Sequence, residues 1–595
     1  MNQARHDMPS GVFFLVVGPS GVGKDTLIDG ARQAEPGLLV ARRVITRPAG
    51  SPGEDHEAQD EAAFAALASQ GAFLVTWGAH GLQYGLRREL LDHLAQGRHV
   101  LANGSRTVID ELARKVPRLV VIEVTAPPEL LRDRILSRGR ESAEQAGQRL
   151  RRRAEVGESA CVLRVMNDGT LEEGVARFLA ALRGALAPAS SKAAIDAKLS
   201  GAALDEDQYA AVIDDIVAGR LDDATIDAFL MHAVDHLADA EVLALAKART
   251  RAMPRIAWNE PIVVDKHSLG GIPGSRITLI VVPIVAAHGL AMPKTSSRAI
   301  TSAAGTADAM QTVAKVDLDP QDVRRCIVQA RACIAWNGKL NHTLIDDRIN
   351  ARTAALKLQS NRWSVASILS KKYSAGSTHI VVDLPCGPRA KLRTVEEARE
   401  MQRLFEEVGA GMGLRVKALV TDGTRPIGAG IGPALEVRDV RRVLSGDPDA
   451  PADLLEKALL VAAHILAWAP DVGSLEAGRQ RARALLDSGA ALAAFERIID
   501  AQGRARPPIL PGRLAYDVCA GRAGVVAQVD GWRITEIARE AGAPRDLSAG
   551  VDLLRRPGDA VAAAEPLYRI HADTQAALDA AARSALRHSG VTLQE

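Results

Sequence analysis

The feature that most constrains this chain is a glycine-rich loop that directly follows its first apolar segment. Residues 12–17 are all apolar, and residues 18–26 read Gly-Pro-Ser-Gly-Val-Gly-Lys-Asp-Thr. This order predicts a buried strand, a loop whose backbone N–H groups face a phosphate, and a helix whose N-terminus adds positive potential. Lys24 is expected to reach the outer phosphates of a nucleoside triphosphate. The chain is therefore predicted to begin with an α/β domain that binds a nucleotide.

Length and composition set broad limits on the rest. A chain of 595 residues is too long for one hydrophobic core and favours three or more domains. A net charge of +2 and an aromatic content of 3% argue against a nucleic-acid or membrane partner. The five cysteines are scattered and form no CxxC pair, which indicates a reduced, cytoplasmic protein without a zinc site. The longest apolar run, residues 277–292, contains Pro283 and is too short to span a membrane.

Strand and helix patterns change along the chain and predict an α/β protein of several domains. Alternating strands and helices predict a parallel sheet in the first part, whereas residues 200–256 carry apolar residues at helical spacing. The predicted organisation is a P-loop domain (1–186), a linker (187–199), a helical domain (200–256), a large α/β domain (257–500) and a small C-terminal α/β domain (501–595). Among the predicted strands are residues 12–17, 100–101, 119–124, 262–264, 277–285, 379–382, 416–420, 524–528, 532–534 and 553–557.

A second cluster of phosphate-handling residues lies in the middle of the chain. Residues 265–268 read Asp-Lys-His-Ser and precede two glycines, and residues 294–308 are dense in hydroxyl groups. Ser367 and Lys371 are four residues apart, which places them on one face of a predicted helix. A lysine, a histidine and several hydroxyls suit a free oxyanion and a sugar. Two phosphate sites of different kinds predict two consecutive reactions.

The N-terminal part resembles the guanylate-kinase group, and within it the ribose 1,5-bisphosphate phosphokinase family. The resemblance covers nearly all of residues 11–186. It is carried by the nucleotide loop and by the motifs at residues 42–48, 53–56, 77–85 and 125–140.

The resemblance implies an ATP-dependent kinase that uses Mg²⁺ as a cofactor. The nucleotide-binding residues that it implies are Gly18, Ser20, Gly21, Gly23, Lys24, Asp25 and Thr26. The arginines that it implies for the acceptor and for closure over the phosphoryl group are Arg43, Arg47, Arg134, Arg138 and Arg140. Bidentate guanidinium groups suit an acceptor with two phosphates.

Two residues depart from the usual P-loop pattern. The residue after the loop lysine is normally Ser or Thr, which holds Mg²⁺, but here it is Asp25. Asn103 stands where guanylate kinases carry an aspartate at the end of a strand, and a neutral side chain cannot replace a carboxylate that binds Mg²⁺. An alternative is therefore a regulatory half that binds nucleotide without turnover.

Residues 200–595 resemble the thymidine/pyrimidine-nucleoside phosphorylase family. The resemblance implies inorganic phosphate as co-substrate, no bound metal, and a homodimer formed through the helical domain. The phosphate-binding residues that it implies are Lys266, Ser268, Thr278, Ser296 and Thr306. The residues that it implies for the nucleoside and for charge on the leaving base are His267, Ser367, Lys371 and Arg352, with Arg348 as an alternative to Arg352.

Two segments are similar to the branch that contains nucleoside-monophosphate (AMP) phosphorylases. These are residues 270–276 and residues 294–302, whose extra basic and hydroxyl groups fit a 5′-phosphate on the substrate, with Arg276 as a candidate contact. Phosphorolysis of a nucleoside monophosphate would give ribose 1,5-bisphosphate, and the kinase half would convert it to 5-phosphoribosyl 1-diphosphate. The competing interpretation is a thymidine phosphorylase fused to a kinase of a separate route, such as phosphonate breakdown.

Overall fold

The chain folds into two compact units. The structure is a computed structural model that describes residues 11–48, 55–79, 81–136, 161–253, 255–299, 302–340, 344–358 and 360–594. The first unit comprises residues 1–238 and 343–360, and the second comprises residues 239–342 and 361–595. The helices of residues 200–256 are thus divided between the two units instead of forming one domain.

Within its described residues, the first unit is built on a five-stranded parallel sheet. Phe13–Val17 is the central strand and is completely buried, as expected for an apolar run with helices on both faces. Its alternate side chains enter two separate cores, Phe13 and Leu15 on one face and Phe14 and Val16 on the other. In sheet order the strands are Leu39–Ala41, Val100–Asn103, Phe13–Val17, Leu119–Thr125 and Cys161–Met166.

A second, mixed sheet in this unit carries Arg43, one of the predicted acceptor arginines. Its strands, in order, are His56–Ala58, Arg43–Ile45, Leu82–Arg87 and Phe73–Ala79. The helices of the described first unit are Lys24–Ala34, Glu61–Ser69, Leu90–Ala95, Ile109–Lys115, Pro128–Leu136, Leu171–Leu186, Lys192–Leu199, Glu206–Val217, Asp223–Asp235 and Leu344–Ala355, with a short 3₁₀ turn at Arg106–Val108. The segment predicted as a linker thus contains a helix, Lys192–Leu199.

The predicted phosphate-binding residues 265–268 lie in a three-stranded parallel sheet of the second unit. Val264–Ser268, His379–Cys386 and Arg415–Asp422 are parallel, in that order. The parallel pair Met292–Ser296 and Ala332–Trp336 joins them through a bridge between Val263 and Ala291. The described helices of this part are Asp239–Arg251, Thr278–His288, Thr306–Gln311, Pro320–Ala330, Asn337–Leu340, Asn361–Ser374, Val395–Gly411, Pro433–Ser445, Ala452–Leu466, Leu475–Asp487 and Ala490–Gln502.

The predicted strand at residues 277–285 is wrong, because Thr278–His288 is a helix. Its residues 278–286 are all buried, and the helix belongs to the largest apolar core of the unit. A helix that is apolar on every side carries no amphipathic period, so its sequence cannot be told from that of a buried strand.

The C-terminal part consists of antiparallel sheets and two helices. One described sheet has the order Gly430–Ile431, Gly550–Leu553, Pro566–Ala572 and Leu514–Cys519, and the other has the order Ala560–Val561, Gly524–Val529 and Val591–Gln594. The helices are Gly531–Glu540 and Gln575–Arg587. Residues 532–534, predicted as a strand, form the first turn of a helix that Asp530 caps by accepting hydrogen bonds from the N–H groups of Trp532 and Arg533.

In the described parts of the chain, no helix is both long enough and apolar enough to cross a membrane.

Candidate active sites

The nucleotide loop has the backbone that its glycines predicted. Gly18, Gly21 and Gly23 have φ angles of 156°, 81° and 92°, a region that favours glycine. A Cβ on Gly18 would lie 2.5 Å from the carbonyl oxygen of Val124, and one on Gly23 would lie 2.7 Å from Asn167 Nδ2. Backbone conformation and close packing both require glycine here.

Lys24, the first residue of the helix, lies back over the loop. Its Nζ donates to the carbonyl oxygens of Gly18 at 2.8 Å and Pro19 at 3.1 Å. The loop is held from behind by Asn167, whose Nδ2 donates to the carbonyl of Val22 at 2.7 Å. The sequence analysis did not identify Asn167. Its only sequence signal is a polar residue that directly follows an apolar strand.

The two residues that depart from the P-loop pattern are in contact with each other. Asn103 Nδ2 donates a hydrogen bond of 2.6 Å to Asp25 Oδ1. Asn103 ends a strand and is buried, whereas Asp25 and Thr26 are exposed at the start of the helix. The departures therefore form one local arrangement.

The predicted acceptor arginines lie at several places in the first unit. The guanidinium of Arg43 stacks over the ring of Tyr84 at 5.2 Å, and Arg47 is half-buried just after the same strand. Arg134 donates to the carbonyl of Asn167 at 3.0 Å, beside the nucleotide loop. Predicted residues that lie outside the described chain are Arg138, Arg140, Gly53, Glu54 and His80.

In the second unit, three predicted phosphate ligands come together. Lys266 is buried, and its Nζ donates to Ser268 Oγ at 2.6 Å and to Thr278 Oγ1 at 3.1 Å. Burial lowers the pKa of Lys266 to about 7, although Asp383 opposes this effect. A phosphate anion beside this amine would favour its charged form.

Asp383 organises this cluster and was missed by the sequence analysis. It is completely buried and accepts hydrogen bonds from Ser268 Oγ at 2.7 Å and Thr421 Oγ1 at 2.6 Å. Lys457 Nζ lies 3.2 Å from Asp383 Oδ1, the oxygen that accepts from Thr421. Burial alone would raise the pKa of Asp383, but Lys457, Lys266 and the two hydroxyl donors together lower it. Its sequence signal is an acidic residue within an otherwise apolar strand.

A second buried carboxylate, Asp265, lies one residue before Lys266. Lys372 Nζ is 2.9 Å from Asp265 Oδ2, and Lys294 Nζ is 3.9 Å from Oδ1. Burial, followed by the charges of Lys372 and Lys294, holds the pKa of His267 well below its usual value. His267 is therefore a neutral imidazole in this arrangement.

Ser296 and Thr306 complete the set of predicted phosphate ligands. Ser296 Oγ is buried and has no hydrogen-bond partner among the described residues, so it can turn toward a ligand. Thr306 Oγ1 accepts a hydrogen bond of 3.0 Å from Arg276. Arg276 also donates to the carbonyl of Ala304 at 3.0 Å and forms a buried ion pair with Glu436. The candidate contact to a 5′-phosphate is thus already held by a carboxylate.

The predicted nucleoside residues Ser367 and Lys371 share the helix Asn361–Ser374. Ser367 Oγ accepts a hydrogen bond of 3.4 Å from Arg249, a buried residue that the sequence analysis did not identify. Arg249 also donates to Ser370 Oγ at 3.2 Å. Lys371 is half-buried one turn beyond Ser367.

The predicted base-contacting arginines belong to the first unit, whereas the phosphate ligands belong to the second. Arg352 donates to Asp223 at 2.8 Å and forms a bidentate ion pair with Asp227, which raises its pKa. Arg348 donates to Asp223 at 3.1 Å and to the carbonyl of Leu221 at 3.0 Å. Both arginines therefore tie the helix Leu344–Ala355 to the helix Asp223–Asp235 of the same unit.

Two family models match the second half of the chain. One is described as the glycosyl transferase family a/b domain and matches residues 260–492. The other is described as the pyrimidine nucleoside phosphorylase C-terminal domain and matches residues 525–591. The first match includes the Lys266 cluster and the helix of Ser367 and Lys371.

Relatives that match the whole chain share one name, bifunctional ribose 1,5-bisphosphokinase-thymidine phosphorylase. The protein from Cupriavidus pinatubonensis is 58% identical over 577 residues, 96% of each chain. The protein from Cupriavidus necator is 59% identical over 580 residues, also 96% of each chain. The protein from Azorhizobium caulinodans is 51% identical over 674 residues, 98% of this chain and 97% of its own.

Proposed function

This chain belongs to the family of bifunctional ribose 1,5-bisphosphokinase–thymidine phosphorylases, and we propose that it catalyses both reactions of that name. One half transfers a phosphoryl group from ATP to ribose 1,5-bisphosphate and yields 5-phosphoribosyl 1-diphosphate. The other half uses inorganic phosphate to split thymidine into thymine and 2-deoxyribose 1-phosphate. The observation that carries the proposal is the match at 58% identity over 96% of both chains, which spans both phosphate sites.

In the kinase half, the residues bind and orient two phosphorylated substrates. The loop N–H groups and the helix N-terminus receive the phosphates of ATP, and Lys24 leaves its loop carbonyls to reach the outer phosphates. Arg43 and Arg47 hold the bisphosphate acceptor, and Arg134 lies beside the loop. Positioning and charge neutralisation account for most of the catalysis in such transfers.

In the phosphorylase half, a phosphate oxygen forms a bond to C1′ while the bond between C1′ and the base nitrogen breaks. The base leaves with that electron pair and acquires a proton. The five phosphate ligands, with Lys266 charged in the complex, align the attacking oxygen. His267, Ser367 and Lys371 hold the nucleoside, and Lys371 stabilises the negative charge that develops on the base. Arg352 is proposed as a further contact to the base.

We also propose that the phosphorylase half accepts nucleoside 5′-monophosphates. Phosphorolysis of a ribonucleotide yields ribose 1,5-bisphosphate, which is the compound that the kinase half would consume. The chemistry of the two halves would then be consecutive. Because Arg276 is held by Glu436, the 5′-phosphate would need Arg276 to exchange partners or would need another cation of the 294–302 segment.

The use of Mg²⁺, the assembly and the cellular location are parts of the same proposal. Mg²⁺ would accompany ATP, and a homodimer would form through the helices of residues 200–256. All five cysteines are free thiols, in keeping with work in the cytoplasm. Analytical ultracentrifugation would measure the oligomeric state, with twice the chain mass expected.

The proposal is tested by assaying purified full-length protein for both reactions. Transfer of labelled phosphate from ATP to ribose 1,5-bisphosphate and release of thymine from thymidine are both expected. A protein that performs only one of them would leave the other half as a binding module, and one that performs neither would overturn the proposal.

A further inference from the structure

The start of the helix Lys24–Ala34 and the end of the strand Val100–Asn103 both depart from the residue types that P-loop enzymes normally place there. In P-loop NTPases, a Ser or Thr after the loop lysine and an aspartate of a neighbouring strand hold Mg²⁺. Here the residue after Lys24 is Asp25. The strand Val100–Asn103, one of the two that pair directly with Phe13–Val17, ends in the neutral Asn103.

The contact between the two side chains indicates that the two departures form a matched pair. Asn103 Nδ2 donates to Asp25 Oδ1 at 2.6 Å, which fixes the orientation of the amide. Asn103 is only 7% exposed, and its Oδ1 is buried without a hydrogen-bond partner among the described residues. Such an atom is uncommon in folded proteins, where buried polar atoms are paired. An aspartate at 103 would place a second carboxylate against Asp25, and the two would repel each other.

From this geometry we propose that Asp25 supplies the carboxylate that binds the Mg²⁺ accompanying ATP, and that Asn103 positions Asp25. The inference rests on the proposed kinase function and concerns the residues that would serve it. Carboxylate and amide oxygens are both suitable ligands for this hard cation, so Asn103 Oδ1 is available as a neutral oxygen beside the carboxylate. The kinase half stays active with a neutral residue at 103, because Asp25 on the helix supplies the negative charge that binds the metal.

The test measures binding of Mn²⁺, a paramagnetic probe for Mg²⁺, to full-length protein with an ATP analogue whose γ-phosphate cannot be transferred. Asp25→Asn is expected to weaken Mn²⁺ affinity by at least about tenfold, and Asn103→Ala, which removes the positioning amide, by about tenfold. The double variant Asp25→Ser/Asn103→Asp, which restores the usual arrangement, should bind Mn²⁺ more tightly than Asp25→Asn.

Asp29→Asn is the matched control, since Asp29 is an exposed acid on the same helix, paired with Arg32 at 3.0 Å. It should leave Mn²⁺ affinity unchanged, and phosphorolysis should be unchanged in all these variants. Unaltered Mn²⁺ affinity in Asp25→Asn would overturn the inference, as would a double variant that binds Mn²⁺ no more tightly than Asp25→Asn. Because no acceptor is present, the result does not depend on whether ribose 1,5-bisphosphate is the substrate.

Discussion

Lys266 shows how a single residue can couple phosphate binding to protonation. Burial holds its pKa near 7 against the opposing charge of Asp383, and its Nζ donates to the hydroxyls of Ser268 and Thr278. At pH 8 the amine of the free protein is therefore mostly neutral. A bound phosphate dianion supplies the charge that favours the ammonium form, so binding should raise this pKa.

We expect phosphate binding at pH 8 to take up close to one proton, and its affinity to fall as the pH rises above about 7. Isothermal titration calorimetry in two buffers of different ionisation enthalpy measures this uptake. Lys266→Met should abolish both the uptake and most of the affinity. Lys315→Met, at an exposed lysine of the same unit that pairs with Asp322, should preserve both. Binding by the native protein without proton uptake would contradict the low pKa.

Variants of the phosphate-binding residues and variants of the nucleoside-binding residues should change different steady-state constants. Ser296→Ala removes a buried hydroxyl that has no described partner, so it should raise KM for phosphate about tenfold, the value of one hydrogen bond to a charged group. Ser367→Ala and Lys371→Ala should mainly raise KM for the nucleoside or lower kcat. A Lys371→Ala protein with native constants for both substrates would contradict the assignment of this helix.

At the scale of helices and strands, the sequence predicted the elements whose apolar pattern fits only one type of secondary structure. The apolar run before the glycine loop could only be a buried strand, and Phe13–Val17 is one. The helix Thr278–His288 could not be predicted, because it is buried on every side and rich in β-branched residues. Asp383 and Lys457 could not be paired from sequence either. They are 74 positions apart, and nothing in their local patterns indicates that the fold brings them together.

The ion pair of Arg276 and Glu436 joins the loop after the Lys266 strand to the helix Pro433–Ser445. Arg276→Ala would leave Glu436 buried without its cation, at a cost of about 3 kcal/mol in the free energy of unfolding. Burial raises the pKa of Glu436 to about 7, and loss of Arg276 would raise it further. In Arg276→Ala, the Glu436 carboxyl can become neutral at pH 6. At pH 8 it must either stay charged without a cation or take up a proton, and both cost free energy. The loss should therefore be larger at pH 8.

Urea unfolding of the phosphorylase unit, at both pH values, measures this effect. Arg325→Ala is the control, because Arg325 forms an exposed ion pair with Asp322 and should cost less than 1 kcal/mol. KM for phosphate should also rise in Arg276→Ala, since Thr306 loses its donor. Equal losses in the free energy of unfolding for Arg276→Ala and Arg325→Ala would show that the buried ion pair stabilises the unit no more than an exposed one.

At the scale of the whole molecule, the fusion makes sense if the product of one half is the substrate of the other. A 5′-phosphate held by two charge-assisted hydrogen bonds should favour nucleotide over nucleoside by roughly 3 kcal/mol, on the order of a hundredfold in kcat/KM. Phosphorolysis of CMP against cytidine, AMP against adenosine and dTMP against thymidine measures the preference. If the monophosphates are inert and free thymidine is the best substrate, the result would favour the interpretation as a thymidine phosphorylase fused to a kinase of a separate route.

We propose that two phosphate sites in two units perform two reactions, with Lys24 in one and Lys266 in the other. The most direct measurement is to assay both reactions in Lys24→Ala and in Lys266→Ala, with native protein as the reference. We predict that Lys24→Ala loses phosphoryl transfer from ATP and retains phosphorolysis, and that Lys266→Ala shows the reverse. Near-native phosphoryl transfer by Lys24→Ala, or near-native phosphorolysis by Lys266→Ala, would contradict the account.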